Sequence, residues 1–309
     1  MTHTHQLERT LRTLKLSGML DTLEQRLAQA RAGELGHLEF LQILCEDEIA
    51  RRQAKALRER VRRARFEEPT TLEDFDFSFN PKLPVALIRD LATCRFLEVG
   101  ESIILYGPVG VGKTHLAQAL GHLACRLGHS VRFAKTSRLL SELAGGHADH
   151  TWEARLRKLT RLDLLILDDF GLREFTPQQG DDFFELVSER HKTGSMILTS
   201  NRAPGDWYGL FPNPVVAEGA LDRLVNCAHH ILMQGKSYRP NKRPAADQPS
   251  RPKEVPQTRT QPVGVSDSMI DPLVNSLIVH KTLAASAPYT AWWEKSWRPV
   301  MWSVSAMRP

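Results

Sequence analysis

One octapeptide restricts the fold of this chain more than any other feature. Residues 107–114 have the sequence GPVGVGKT, which fits the pattern G-x-x-x-x-G-K-[ST]. An apolar run at 102–106 precedes the motif, and a helical pattern follows it until about Gly128. A glycine-rich turn between a strand and a helix directs backbone N–H groups and the positive end of the helix dipole at phosphate oxygens. The motif therefore predicts a phosphate-binding loop in a parallel α/β sheet.

The residue types in this loop predict its ligands. Lys113 is expected to reach the β- and γ-phosphates of a nucleotide, and Thr114 to place its hydroxyl on Mg²⁺. ATP and Mg²⁺ are thus the predicted cofactors. The residues expected to contact the nucleotide here are Gly107, Pro108, Val109, Gly110, Val111, Gly112, Lys113, Thr114 and His115.

A second motif, LDLLILDDFG at 162–171, supplies two acids. Asp168 ends a continuous apolar run, and the carboxyl ends of buried parallel strands are where α/β sheets place their ligands. We therefore expect Asp168 to be a metal ligand and Asp169 to lie beside the γ-phosphate, where it could polarise the attacking water. The distance along the chain from the phosphate loop leaves room for one intervening strand.

The same stretch also contains the D-F-G triplet of protein kinases, Asp169-Phe170-Gly171. A protein kinase needs an H-R-D loop and a V-A-I-K strand as well. H-R-D does not occur in the sequence, and RFAK at 132–135 offers a lysine without the pattern. The glycine loop of kinases also lacks G-K-T. These observations exclude a protein kinase.

From residue 67 to 239 apolar runs alternate with helical patterns, which predicts a five-stranded parallel sheet flanked by helices. The expected strands are Ser102–Tyr106, Val131–Ala134, Leu164–Asp168, Met196–Ser200 and His230–Met233. Asn201 follows the fourth strand and is expected to touch the γ-phosphate or the attacking water. Arg223, on a predicted helix, is a candidate for an arginine presented to a neighbouring subunit's nucleotide, and Arg239 is a second basic candidate.

Residues 1–66 are expected to form a small helical domain that ends in a strongly basic helix. The stretch 51–65 carries eight basic residues and one acid. Such a run is often only a solvated helix face. The imbalance here is too one-sided for internal ion pairing, so we expect it to track DNA phosphates. The predicted DNA contacts are Arg51, Arg52, Lys55, Arg58, Arg62 and Arg63.

Composition limits the remaining classes. The net charge of +5 and pI of about 9.1 favour an acidic partner, with nucleic acid first. No run of about 18 apolar residues occurs, so neither a membrane span nor a membrane partner is expected. The four cysteines form no C-x-x-C pair, which fits reduced thiols in a cytoplasmic protein. Residues 240–309 hold ten of the eighteen prolines and are expected to be disordered.

Several motifs together resemble the IstB-like ATPases, which are helper proteins of insertion-sequence transposition related to DnaC-type helicase loaders. They are LEDFDF at 72–77, LYGPVGVGKTHLAQALG at 105–121, DLLILDDFG at 163–171, LTSNR at 198–202, ALDRL at 220–224 and GKSYR at 235–239. The resemblance covers about residues 1–240. It implies an AAA+ core without a helical lid, which binds ATP, forms a homo-oligomer on double-stranded DNA and presents that DNA to a transposase encoded by the same element.

The resemblance also implies individual roles. Lys113 and Thr114 correspond to Walker A, Asp168 to the Walker B metal ligand and Asp169 to the catalytic acid. Asn201 corresponds to sensor I, Arg223 to the arginine finger acting in trans and Arg239 to a sensor II-like residue. Most AAA+ proteins have glutamate in place of Asp169. The shorter side chain implies hydrolysis that is slow or dependent on closure by a partner.

Three alternatives remain open on the sequence. A replicative helicase loader of the DnaC type would use the same core on another client. A small-molecule kinase would need a substrate pocket and lid, and its activity would not respond to DNA. A scaffold that binds nucleotide without hydrolysis is favoured by the short Asp169. Phosphate release with and without DNA separates the last two from a DNA-dependent ATPase.

Overall fold

Five parallel strands in the order β2-β3-β4-β1-β5 form the central sheet of the computed structural model, which describes residues 3–33 and 35–242. The strands are β1 (Ser102–Tyr106), β2 (Val131–Lys135), β3 (Leu164–Phe170), β4 (Ser195–Ser200) and β5 (Ala228–Leu232). The predicted α/β class with a five-stranded parallel sheet is confirmed. In the sheet it is β4 that lies between the phosphate-loop strand β1 and the acid-bearing strand β3.

The fifth strand begins two residues earlier than predicted. It pairs with β1 along its whole length, from Ser102 opposite Ala228 to Tyr106 opposite Leu232. Its first three residues, Ala228, His229 and His230, are partly or fully exposed, because β5 is at the edge of the sheet. The apolar run from which the strand was predicted marks only its second half.

Helices cover both faces of the sheet. Their bounds are α1 (His3–Thr13), α2 (Ser17–Arg31), α3 (His37–Ala64), α4 (Val85–Leu91), α5 (Arg95–Val99), α6 (Lys113–Arg126), α7 (Thr136–Ala148), α8 (Trp152–Thr160), α9 (Pro177–Arg190) and α10 (Pro214–Val225). Alternate strand residues point to opposite faces. Ile103 and Leu105 accordingly pack with α4, α5 and α6, whereas Ile104 packs with helices α7 to α10. All are excluded from solvent, so the sheet is the centre of both cores.

The first three helices form a separate small cluster around Leu11, Leu23 and Leu44. Helices α2 and α3 approach so closely at Gly18 that a Cβ there would lie 2.7 Å from the Cα of Glu48. The predicted helical character of this region is confirmed. Leu57, Val61 and Ala64, in the last turns of α3, pack into the core of the sheet. The division into three domains at residues 66 and 239 stays a prediction.

The connections follow their local sequence signals. Thr176 caps α9 by accepting the Gln179 backbone N–H, and Pro177 occupies the first turn. The helix ends at Arg190, and Gly194 directly precedes β4. The predicted disorder of 240–309 and the expected absence of a lid concern mainly residues 243–309, which lie outside the described residues. In the part of the chain that the structure describes, none of the helices is long and apolar enough to cross a membrane.

Candidate nucleotide-binding site

The phosphate loop lies between β1 and α6, as predicted, and its glycines are required by close contacts. A Cβ on Gly107 would lie 2.1 Å from the carbonyl oxygen of Met233, and one on Gly110 would lie 2.1 Å from Ser237 Oγ. Both glycines have positive φ angles, 140° and 84°. The Tyr238 N–H donates to the Gly110 carbonyl at 2.8 Å. The segment 235–239 therefore lies directly against the loop.

A cleft of about 590 Å³ opens beside the loop, within the size range of small-molecule sites. Lys135, Asp169, Asn201 and Arg239 line it together with the loop, and so does the connector that begins at Glu67. The predicted nucleotide-contacting residues from Val109 to His115 are all in this lining. Gly107 and Pro108 take part through their carbonyl groups, which accept hydrogen bonds from Lys113.

Lys113 lies in the loop as the motif requires. Its Nζ donates to the carbonyl oxygens of Gly107 at 2.8 Å and Pro108 at 2.6 Å, and only 7% of the residue is exposed. Burial lowers the pKa of Lys113, and the nearby Arg239 guanidinium lowers it further, whereas Asp169 and Asp168 oppose the shift. Arg239 is thus close enough for its charge to act on the Lys113 ammonium.

The two acids are brought to the loop by β3. Thr114 Oγ1 donates to Asp168 Oδ1 at 2.8 Å, and Thr199 on β4 donates to the same oxygen. The Thr199 hydroxyl also accepts the backbone N–H of Asp169 at 3.0 Å. Asp168 is completely buried, whereas the Asp169 side chain is 37% exposed and borders the cleft.

A bulge in β3 explains how two consecutive acids reach one site. Adjacent residues of a regular strand point to opposite faces of the sheet. Between Leu167 and Phe170 the register with β4 shifts, and Asp169 has a positive φ of 57°. Aspartate tolerates this left-handed conformation better than most residues. The shift lets both carboxylates approach the same cation.

That cation is Lys135, at the carboxyl end of β2. Its Nζ donates to Asp168 Oδ2 and to Asp169 Oδ2, the second at 2.9 Å. Burial alone would lower the pKa of Lys135, but the hydrogen bonds and negative charges of Asp168 and Asp169 together outweigh burial and raise it above its ordinary value. Sequence reasoning missed Lys135 and Thr199 as site residues. Their signal is positional, since each lies near the end of a strand that neighbours β3.

Phe170, the middle residue of the D-F-G triplet, belongs to the core. It is fully buried, and its ring centroid lies 4.5 Å from that of Trp207 and 5.2 Å from that of Phe183. Its carbonyl accepts the Ser200 hydroxyl at 2.8 Å. Phe170 therefore anchors the end of β3 immediately after the two acids.

The three remaining predicted catalytic or sensing residues divide into two groups. Asn201 and Arg239 line the cleft. Arg223 does not: it lines a recess with Gly100 and Ser102, at the amino end of β1. There its guanidinium lies 5.5 Å from the Phe184 ring centroid and donates to the Gly219 carbonyl. Arg223 therefore lies away from the cleft of its own chain.

The basic helix requires one correction. The expectation that its residues have no internal partners is wrong for Arg52, whose Nε donates to buried Glu48 at 2.6 Å. Arg51 Nε lies 3.7 Å from the same carboxylate, and Arg62 pairs with Glu59. Each of these arginines lies about one helical turn from an acid, and Arg51 and Arg52 share the single carboxylate of Glu48. The other predicted DNA contacts, Lys55, Arg58 and Arg63, are exposed on α3.

The oxygen donors beside the loop fit Mg²⁺. Mg²⁺ is usually held by one or two carboxylates, water and substrate phosphates, and not by an all-protein cage. The Thr114 hydroxyl and the Asp168 carboxylate, in contact with each other, provide donors of this kind. Within residues 3–33 and 35–242, no group of three or more His, Cys, Asp or Glu side chains is placed to hold a metal ion.

Similar solved structures include the DnaC helicase loader and an AMPPCP-bound DnaA from Aquifex aeolicus. The DnaC chain is 21% identical with a TM-score of 0.44, and the match covers 48% of this chain and 88% of that one. The DnaA chain is 22% identical with a TM-score of 0.47, and the match covers 55% and 51%.

Sequence relatives share far more of the chain. An insertion-sequence ATP-binding protein from Mycobacterium tuberculosis is 66% identical over 239 residues, 77% of this chain and 95% of the relative. The ATP-binding protein of insertion sequence IS21 from Pseudomonas aeruginosa is 37% identical over 235 residues, 76% of this chain and 89% of the relative. The family model of the IstB-like ATP binding protein matches residues 9–246. With its phosphate loop and five-stranded parallel sheet, the chain belongs to the IstB-like ATP-binding proteins.

Proposed function

We propose that this protein hydrolyses ATP, assembles on double-stranded DNA and assists the transposase of its insertion sequence. The observation that carries the proposal is the contact between the Thr114 hydroxyl and the Asp168 carboxylate, 2.8 Å apart beside the phosphate loop. Asp169 stands next to this pair and faces the cleft. The arrangement combines a phosphate cradle, a metal position and an acid within reach of a water.

The side chains divide the chemistry between them. Loop N–H groups and the Lys113 ammonium bind the phosphates. Thr114 and Asp168 would hold Mg²⁺, which when bound would supply positive charge against the phosphate oxygens. Asp169 accepts a hydrogen bond from the attacking water, which Asn201 helps to orient. Arg239 places a second positive charge near Lys113, where charge develops on the γ-phosphate during transfer.

Aromatic side chains from the connector that begins at Glu67 and from the segment 235–239 complete the nucleotide site. Phe75, Phe79 and Tyr238 line the cleft. The rings of Phe79 and Tyr238 meet edge to face with centroids 4.8 Å apart. Aromatic side chains bury large apolar areas and stack on planar groups. We assign this aromatic end of the cleft to the purine base.

Arg223 supports action between subunits. It lies at the amino edge of the sheet, away from its own cleft, so it can serve a nucleotide only in a neighbouring copy. An arginine supplied in this way raises turnover by about 10³–10⁵-fold. Assembly on DNA would then be coupled to hydrolysis, and hydrolysis would depend on the oligomer.

The names of the relatives, which place them in insertion sequences, support the choice of client. The test measures phosphate release with and without double-stranded DNA. Stimulation by DNA is expected. Activity that ignores DNA and protein concentration would favour a small-molecule kinase, and no release at all would favour a scaffold. Stimulation by a replicative helicase but not by the transposase would favour the loader.

DNA binding has its own test on α3. Replacing the exposed Lys55, Arg58 and Arg63 by alanine should flatten the dependence of affinity on salt, by roughly 0.9 in log–log slope for each phosphate that is no longer neutralised. The matched control removes three exposed arginines elsewhere, Arg9, Arg12 and Arg31. Equal effects of both triple variants would show that net charge, and not this helix face, binds the DNA.

A further inference from the structure

Lys135 contacts both acids on which the proposed function depends. It lies opposite Asp168 in the pairing of β2 with β3. Its ammonium donates to one oxygen of Asp168 and one of Asp169. A third carboxylate, that of Glu67 in the connector, lies 3.6 Å away. The ammonium therefore has three carboxylates within about one contact distance at the edge of the cleft.

The buried acid needs a counter-charge. Asp168 has no solvent exposure, and its Oδ1 already accepts two neutral hydroxyl groups, from Thr114 and Thr199. Neutral donors do not balance a buried negative charge, which is costly unless it is paired. Lys135 provides that balance through Oδ2. The same carboxylate is the one that the proposed function assigns to Mg²⁺.

We propose that Lys135 is a positioning residue that competes with the divalent cation for Asp168 and Asp169, so that the metal is retained only together with nucleotide phosphates. The inference rests on the proposed function, because it takes Asp168 as the metal ligand. Two adjacent carboxylates without a cation would attract a divalent ion by themselves. With the Lys135 ammonium between them, the two carboxylates have too little net negative charge to bind the metal until phosphate oxygens are added as ligands.

The Lys135 ammonium can leave the two aspartates with little loss of favourable interaction. Its side chain is 34% exposed and flexible, and Glu67 is 49% exposed on the connector. A short movement of the ammonium towards Glu67 keeps it paired while it frees the two aspartates. An arginine at this position would hold both carboxylates through its rigid fork and would yield less easily.

The decisive experiment titrates the full-length protein with Mn²⁺ in the absence of nucleotide and measures free Mn²⁺ by electron paramagnetic resonance. Lys135→Met removes the charge and keeps most of the volume. It should bind Mn²⁺ at least about 10-fold more tightly than the wild type, because the positive charge in contact with both carboxylates has been removed. Lys158→Met, at an exposed position on α8, is the matched control and should bind as the wild type does. Equal affinity of Lys135→Met and the wild type would overturn the inference.

Two further variants keep the test decisive if Lys135→Met does not fold. Lys135→Gln retains a hydrogen-bond donor without the charge and should also bind Mn²⁺ more tightly. Lys135→Arg retains the charge and should bind no more tightly than the wild type. Tighter binding by the arginine variant would show that the loss of charge is not the cause, and would equally reject the competition.

A parallel titration separates this inference from the proposed function. Binding of a fluorescent ATP analogue is measured with and without Mg²⁺ in the wild type and in Asp168→Asn. If Mg²⁺ strengthens binding equally in both, Asp168 is not the metal ligand and the proposed site fails. If only Asp168→Asn loses the Mg²⁺ effect and Lys135→Met still binds Mn²⁺ like the wild type, the proposed site stands and only the role of Lys135 is rejected.

Discussion

Glu48 in the N-terminal helices and Asp168 in the nucleotide site are both buried carboxylates balanced by a basic side chain. Glu48 is 4% exposed and accepts Arg52 Nε at 2.6 Å and the Gly18 N–H at 2.5 Å. Asp168 is fully buried and accepts Lys135 and two hydroxyls. The pairs differ in where the cation comes from and in what lies beside it.

The cation of Glu48 follows on the same helix, one turn later, and the acid holds α2 against α3 through Gly18. Such a pair is fixed by the helix itself. The cation of Asp168 comes from another strand, has a second acid within reach and borders an open cleft. Burial of an ion pair therefore does not by itself indicate function. The neighbouring cleft and the second acid distinguish the candidate nucleotide site from the Glu48 pair.

The largest effect is expected from Asp169→Asn, which removes the exposed acid and leaves the buried one. Phosphate release should fall by about 10²–10⁴-fold, the usual contribution of a general base. Affinity for ATP should stay close to the wild-type value. Asp181→Asn, at an exposed position on α9, is the control. Unchanged steady-state hydrolysis would remove Asp169 from the mechanism.

Glu48→Ala tests the structural member of the comparison. It removes the acceptor of two charge-assisted or buried hydrogen bonds, so the free energy of unfolding should fall by about 3 kcal/mol, as measured by urea denaturation. Nucleotide affinity of the folded protein should not change. Exposed Glu24→Ala on α2 serves as the control. Weaker ATP binding by folded Glu48→Ala would mean that the N-terminal helices and the cleft are coupled.

Lys113→Ala should show the opposite pattern. Loss of an ammonium–phosphate interaction worth up to about 3 kcal/mol should weaken ATP binding by about 100-fold. Stability without nucleotide should not fall, because burial lowers the pKa of Lys113 and its charge is held only by loop carbonyls and more distant acids. Binding is measured by titration calorimetry, with Lys158→Ala as the control. A large loss of stability would place Lys113 with Glu48 among the structural charges.

Much of the nucleotide site could be predicted, because its parts are local in sequence. The loop is a contiguous motif, and Asp168 ends an apolar run that must be a buried strand. The confirmed strands and helices follow from patterns of the same short range. Asn201 directly follows a predicted strand, where α/β sheets place their ligands, and it does line the cleft.

What escaped prediction depends on pairing between strands. Lys135 and Thr199 reach the acids because β2 and β4 flank β3, an order that the sequence does not state. The bulge at Asp169 depends on the register with β4.

The internal partners of Arg51 and Arg52 were missed for a different reason. A count of charges over residues 51–65 overlooks the single acid Glu48, which lies just outside that window.

The smallest effect expected is a dependence of stability on pH that belongs to Glu48. Burial raises the pKa of this acid, but the hydrogen bonds from Arg52 and Gly18 and the charges of Arg51 and Arg52 together outweigh burial and hold the pKa below its ordinary value. An acid of this kind stabilises the fold fully above its unfolded pKa of about 4.3, and the contribution is lost as the pH falls through the lower folded value.

Glu48→Gln mimics the protonated acid, so it isolates this contribution. The difference in unfolding free energy between wild type and Glu48→Gln should be constant from about pH 7 to 5 and should shrink below about pH 4. Urea denaturation at each pH measures it. A difference that narrows already between pH 7 and 5 would point to a histidine instead. A difference that persists to the lowest pH at which the protein folds would mean that Glu48 stabilises the fold through its shape and hydrogen bonds. Glu48 would then not be comparable to Asp168 as a buried negative charge.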